Sequence, residues 1–175
     1  MMVVSRHYRW LLLLQLLFLL TGCGYHLTSS SAQRLAAGQQ IWVPFIVNES
    51  ISPTAQTVLR RALYEECHAL RGLLPSKSEG SASLIMKGRL LSYSNSAVSY
   101  SAIDRVQSFR LLLSVELELY RKGETAPLWK GVLNASKDYP AGMDLALQRN
   151  AEESALDAAS RIIAQKFISA AEHSY

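Results

Sequence analysis

Four histidines and two cysteines in 175 residues leave little with which to build an active centre. His7 lies beside the N-terminal apolar segment, His26 just beyond it and His173 near the C-terminus, so only His68 falls inside a candidate helix. Its neighbour Cys67 makes a thiol–imidazole pair on paper, but adjacent helical residues point about 100° apart and do not face each other. The carboxylates are scattered. Glu116 and Glu118 stand one strand period apart on a face that reads as solvated, whereas a catalytic pair needs carboxyls about 5 to 10 Å apart across a cleft with separated pKa values. No phosphate-binding glycine loop and no metal-ligand spacing occurs. The chain reads as a non-enzyme, with no cofactor and no metal site.

It also lacks a membrane-spanning run. The longest apolar stretch, Trp10 to Leu20, is broken by Gln15 and is about half the roughly 20 residues that a spanning helix needs. Arg6, His7 and Arg9 make a basic lead-in, so residues 1–22 read as a signal peptide. Leu20-Thr21-Gly22-Cys23 closes the run and resembles the bacterial lipobox. The resemblance implies cleavage before Cys23, diacylglycerol on its sulfur and an acyl group on the new N-terminus. One acyl chain anchors only reversibly, and two or more hold for good. An ordinary secretory signal that contains a cysteine, or an uncleaved anchor, is the alternative. Lipoproteins retained at the inner membrane commonly carry aspartate after the cysteine. Gly24 stands there and implies the outer membrane.

Strong charge is missing too. The formal net charge is +4, from 18 Lys and Arg against 14 Asp and Glu, and Arg6 and Arg9 leave with the signal. No basic run interleaved with aromatics occurs, so nucleic acid is not expected as a partner. With Cys23 lipidated, Cys67 has no disulfide partner, and its helical register with Leu63 and Leu70 places it in the core.

What is present is alternation. Residues 23–40, rich in Ser, Ala, Gly and Gln, read as a tether, and residues 41–175 as one domain. Ile41-Trp42-Val43-Pro44-Phe45-Ile46-Val47 is a short apolar strand, at a sheet edge or bulged because Pro44 gives no ladder hydrogen bond. Ser52-Pro53 supplies an N-cap and first helical position for a helix to about Leu70. Ala55, Val58, Leu59, Ala62, Leu63 and Leu70 form its apolar face, and Arg71-Gly72 its stop. From Leu84 to Tyr93 the period is two, with Lys87 and Arg89 opposite Met86 and Leu90; Ser92 to Ser101 reads as a polar hairpin tip. Phe109 to Leu119 is the cleanest strand, with apolar residues at odd positions. Arg121-Lys122-Gly123-Glu124 turns it into a strand from about Leu128 to Tyr139, which Pro140-Ala141-Gly142 breaks. A helix from about Asp144 to Ala171 ends the chain, with Ala151, Ala155, Ala159, Ile162, Ile163 and Phe167 as its core stripe. The economical packing is an α+β two-layer sandwich in the order β-α-β-β-β-α, a four-stranded, mainly antiparallel sheet covered on one face by two helices.

Cys23-Gly24-Tyr25-His26-Leu27 resembles the mature start of the lipopolysaccharide-assembly lipoprotein family LptE. Val43-Pro44-Phe45 with Asn48, the Phe109-Arg110-Leu111 strand, the strand from Trp129 to Tyr139, and the Leu147-Gln148-Arg149-Asn150-Ala151-Glu152 helix opening are similar in the same order. The resemblance implies the same fold. It also implies an outer-membrane partner, the β-barrel LptD, which such a lipoprotein plugs, helps to fold and assists in delivering lipopolysaccharide. Lipid A phosphates call for Lys or Arg. Arg149 stands where similar family members carry a basic residue, and Arg105 is the second candidate; Lys87, Arg89 and Arg110 are further options. Ser92 to Ser101 is a candidate barrel contact. A lipid-anchored periplasmic ligand-binding or structural domain without a barrel partner is the competing reading.

Overall fold

Pro44 splits what the sequence presents as one strand into two. The computed structural model describes residues 35–173, and in it β1 (Gln40–Trp42) and β2 (Val47–Asn48) flank the proline. Both run parallel to β4 (Leu84–Tyr100), Ile41 beside Leu84 and Val47 beside Arg89. The backbone freed at the break is satisfied by the following helix. The Val43 N–H donates to Tyr64 Oη at 2.8 Å, and the Val43 carbonyl accepts from Arg60 Nε at 2.7 Å.

That helix, α1 (Ala55–Arg71), has Thr54 as its N-cap, two residues later than Ser52-Pro53 suggests, and the Thr54 hydroxyl makes no capping bond. The displacement has a local cause. Asn48 accepts from the Ser50 N–H and donates to the Ser52 carbonyl, a side-chain turn that draws Ser52 away from the helix start. The stop is where the sequence puts it. Gly72 adopts φ 63°, and the N–H groups of Gly72 and Leu73 return to His68 and Cys67 carbonyls, the left-handed closure that favours glycine. Leu70, expected on the apolar face, is exposed.

The chain then forms β3 (Leu74–Pro75), parallel to β1, and a meander of β4, β5 (Val106–Arg121) and β6 (Trp129–Pro140). The sheet order is β3-β1-β4-β5-β6, with β2 also on β4. The fold is therefore α+β with two helices, but the sheet has six strands rather than four. Both additions, β2 and β3, are two-residue segments with too little alternation to stand out in a sequence. The other departure is larger: Ser92 to Tyr100 is strand, not hairpin tip, with Ser92, Ser94 and Ser96 along a face left open to solvent.

The last helix, α2 (Leu145–His173), is capped by the Asp144 carboxylate, which accepts the Ala146 N–H at 2.7 Å, as expected of an acid at a helix start. Leu111, Leu113, Val115, Leu117 and Leu119 of β5 are fully buried, and they form one core with Leu59, Leu63 and Cys67 of α1 and Ala159, Ile163 and Phe167 of α2. Each such Leu contributes about 1.5 to 3 kcal/mol on burial. Gly88 leaves room here, because a Cβ at that position would lie 2.8 Å from Leu117 Cδ2. Leu35, within the stretch read as tether, is also buried, so packing begins before Ile41. Among the described residues no helix is long and apolar enough to cross a membrane.

Candidate functional site

One extra residue in β4 builds a cleft against the last helix. Leu90 pairs with Val115 and Ser92 with Ser114, so Leu91 has no counterpart on β5. Such a bulge exchanges the faces of the residues beyond it. Below it Met86 and Leu90 point inward; above it Tyr93 and Asn95, opposite Leu113 and Leu111, point toward the helices. They meet α2 there. The Tyr93 phenol donates to Glu152 Oε1, and Asn95 Nδ2 donates to the same oxygen at 2.7 Å. Burial, reinforced by the hydrogen bond to Glu152, raises the Tyr93 pKa and keeps the phenol a neutral donor. The sequence shows Glu152 only as an acid in the first half of a helix. The odd count between Leu90 and Tyr93 was the one signal that could have placed it in a network.

Around this pair lies a cleft of about 370 Å³, bounded by Ile51 to Thr54 ahead of α1 and by Arg149, Glu153 and Leu156 of α2. Arg149 is exposed one turn before Glu152, and no described ion pair engages it. Arg105 is elsewhere. It closes the β4–β5 hairpin, where its N–H donates to Ser101 Oγ at 3.2 Å and its carbonyl accepts the Ser101 N–H at 2.8 Å. From Val106 to Leu111, the level of the cleft, is five residues of strand, about 17 Å. The two candidate arginines thus sit at different heights rather than in one site.

The further basic options are engaged on the helix-free face of the sheet. Arg89 pairs with Glu116 at 2.6 Å and Glu49 at 3.4 Å; Lys130 pairs with Glu118 at 2.6 Å and Glu116 at 3.3 Å. Hydrogen bonds from Arg89 and Lys130 hold Glu116 below its ordinary pKa, and bonds from Lys130 and Tyr120 do the same for Glu118. Lys87 Nζ lies 5.0 Å from the Tyr120 ring centre. Higher up, Arg110 grips Asp138 with two bonds of 2.6 and 2.7 Å. Between these charged rows Ser92, Ser114 and Asn134 lie side by side by register, and Ser94 and Ser136 flank the exposed Leu112. The open face is mainly polar, with Val47, Leu112 and Val132 exposed among its paired charges.

Cys67 and His68 do not act together. Cys67 is buried, and burial, then the Glu66 charge, push its thiol up to about 12. His68 is exposed and places Nδ1 3.1 Å from the Leu73 carbonyl. No group of three or more metal-ligating side chains occurs among the described residues. Cys23, with the signal segment and most of the tether, lies outside the described residues.

A family model described as LptE, lipopolysaccharide-assembly, matches residues 38–171. No curated protein sequence matches the chain. Among solved structures, a lipoprotein from Caulobacter crescentus is similar at 18% identity with a TM-score of 0.52, over 73% of this chain and 87% of that one. Rare lipoprotein B from Shewanella oneidensis gives 15%, 0.50, 75% and 92%. The PelC dodecamer from Paraburkholderia phytofirmans gives 14%, 0.50, 77% and 89%. At these identities the likeness concerns the fold.

Proposed function

Because the chain belongs to the LptE lipopolysaccharide-assembly family, we propose that it is an outer-membrane lipoprotein, held by acylated Cys23, that plugs an LptD-like β-barrel. In that place it helps the barrel to fold and assists delivery of lipopolysaccharide to the outer leaflet. The family is one of non-enzymatic assembly lipoproteins, and the separation of Cys67 from His68 agrees with that role.

The observation that carries the barrel reading is the open sheet face. A barrel lumen is polar, and a plug must offer it a surface of hydroxyls and paired charges rather than apolar side chains or bare ions. Serines between two neutralised charged rows meet most of that need, with Leu112 and Val132 as the apolar exceptions. Length supports it as well. The 17 residues of β4 extend about 55 Å, against a hydrocarbon core of about 30 Å, so the domain is long enough to run through a barrel. Arg149 and Arg105, two candidate basic residues outside the described ion pairs and off the charged rows of the open face, are the proposed contacts for glycolipid phosphates. They face different parts of the ligand.

The test is co-purification of the full chain in mild detergent. A stable complex with an outer-membrane barrel of several hundred residues is expected; recovery as a lipoprotein without any such partner overturns the plug. The second reading, an anchored ligand-binding domain, draws on the cleft beside Tyr93 and Glu152. It gains if that barrel is absent and a small ligand protects the cleft.

A further inference from the structure

The cleft beside Tyr93 carries both signs of charge and pairs neither with the other. Arg149, Glu152 and Glu153 take positions i, i+3 and i+4 of α2 and line the same cleft, so their Cβ atoms stand about 5 to 6 Å apart. No described ion pair joins Arg149 to either carboxylate. Arginine ahead of glutamate is the weaker order for such a helical pair. The Tyr93 phenol and Asn95 Nδ2 both donate to Glu152 Oε1. The other oxygen of Glu152, and both oxygens of the exposed Glu153, have no described donor.

The facing wall is the lead-in to α1. Ser52 and Thr54 line it with hydroxyls that make no described bond, the Thr54 hydroxyl being the unused helix cap. Ile51, Pro53 and Leu156 supply the apolar lining. A free anion on Arg149 would meet Glu152 and Glu153 as like charges, and a free amine on the glutamates would leave Arg149 unanswered. The lining therefore selects a ligand with both charges a few atoms apart. Its cation must donate hydrogen bonds. Quaternary ammonium groups have no N–H and are held by aromatic cages, whereas Tyr93 is the one aromatic ring of this lining and its hydroxyl is committed to Glu152. A primary ammonium offers three donors. For the anion, phosphate suits the arginine fork.

We propose that this cleft receives a phosphoethanolamine headgroup, with the phosphate on Arg149 and the Ser52 and Thr54 hydroxyls and the ammonium on Glu152 and Glu153. Two carbons separate phosphate ester oxygen from amine, which suits side chains one helical turn apart. At about 370 Å³ the cleft is at the small end of ligand sites, so it takes the headgroup and leaves the lipid tail outside. The inference rests on the proposed contact of Arg149 with a phosphate and adds the cation that accompanies it. It does not depend on the barrel. The same headgroup ends a glycerophospholipid and can decorate a glycolipid phosphate.

The experiment uses the full-length, nitrogen-15-labelled chain in non-ionic detergent. Glycerophosphoethanolamine, glycerophosphocholine and glycerol 3-phosphate are titrated separately and followed by NMR. The first is expected to bind about tenfold more tightly than either of the others, with shifts centred on residues 51–54 and 149–156. Glu153→Gln should bring it close to the level of glycerol 3-phosphate, and Arg149→Gln should weaken all three. Competition then separates the sources. Displacement of the soluble probe by phosphatidylethanolamine assigns the headgroup to a phospholipid, and displacement by lipid A bearing phosphoethanolamine assigns it to a glycolipid; displacement by neither overturns the inference. Equal binding of the three probes, a preference for the choline probe, or a preference that survives Glu153→Gln unchanged also overturns it. In those cases Arg149-dependent phosphate binding leaves the glycolipid contact standing, whereas no binding of any phosphate probe rejects both.

Discussion

Arg161 Nη1 stands 3.1 Å from Glu66 Oε1 and ties the two helices together over the sheet. Glu66 is the one buried carboxylate of the structure's described core, and Gln165 Nε2 supplies its other oxygen at 3.0 Å. Arg161 also reaches Glu65 at 2.6 Å and Asp157 at 3.0 Å. Those outer pairs are half-exposed and individually worth little. The inner one is different, because losing Arg161 leaves a buried charge only half satisfied. Arg161→Ala is expected to cost about 2 kcal/mol, read from denaturant midpoints, and Arg61→Ala less than about 1. Equal small losses from both would show that Glu66 is solvated instead.

Cys67 gives a prediction in alkali. Its folded thiol is raised to about 12, against about 8.5 in an unfolded chain. Between those values the folded state holds a proton that the unfolded state releases, so its contribution is complete below about pH 8.5 and is lost as the pH climbs toward 12. At neutral pH a thiol reagent should label Cys67 only after denaturant is added. Ready labelling of the native chain would contradict its burial.

How much of this was legible beforehand differs by element. The period-two alternation of Leu111 to Leu119 and the helical spacing of Leu59, Leu63 and Cys67 report burial directly, since each face meets one environment. Gly72 was legible because few other residues take its backbone angle. Ser92 to Tyr100 was not, because hydroxyls on an open sheet face look like a loop when burial is the signal. Pro44 marked the β1–β2 break, but not that its backbone is satisfied by Tyr64 and Arg60 from another element. The cleft shares that difficulty. Arg149 was named from its place in a motif, whereas Tyr93 and Glu152, 59 residues apart, meet only through a bulge that no local propensity marks.

The charged rows of the open face predict acid sensitivity. Glu116 and Glu118 are held below their ordinary values by Arg89, Lys130 and Tyr120. Depressed carboxylates stabilise the fold above the unfolded value of about 4.3, and that contribution disappears as the pH falls through the lower folded values. Denaturant midpoints should therefore fall below about pH 4, and Lys130→Met should flatten the fall. A Lys130→Met variant with an unchanged pH profile would show that the pairs contribute nothing.

Processing tests the anchor. If Cys23 is the lipidated residue, Cys23→Ser leaves a precursor that the lipoprotein signal peptidase cannot cut, larger on a gel by the length of residues 1–22. The domain itself should fold as before, because its described core starts at Leu35. Normal maturation of the variant removes the lipobox reading and with it the basis for outer-membrane attachment.

Arg149 and Arg105 separate ligand contact from stability. Neither has a carboxylate partner among the described ion pairs, and both are exposed, so reversing either charge should move the melting temperature by little. If their free guanidiniums meet glycolipid phosphates, the same changes must weaken lipopolysaccharide binding, since a repelled anion replaces a bidentate one. Arg149→Glu and Arg105→Glu are each expected to reduce binding about tenfold, the effect of roughly 1.4 kcal/mol, with the double variant lower again because the sites lie far apart along the sheet. Arg110→Ala is the control: its guanidinium is already committed to Asp138, and it should leave binding nearly unchanged. Loss of affinity in the control alone would move the contact from the two free arginines to the open face.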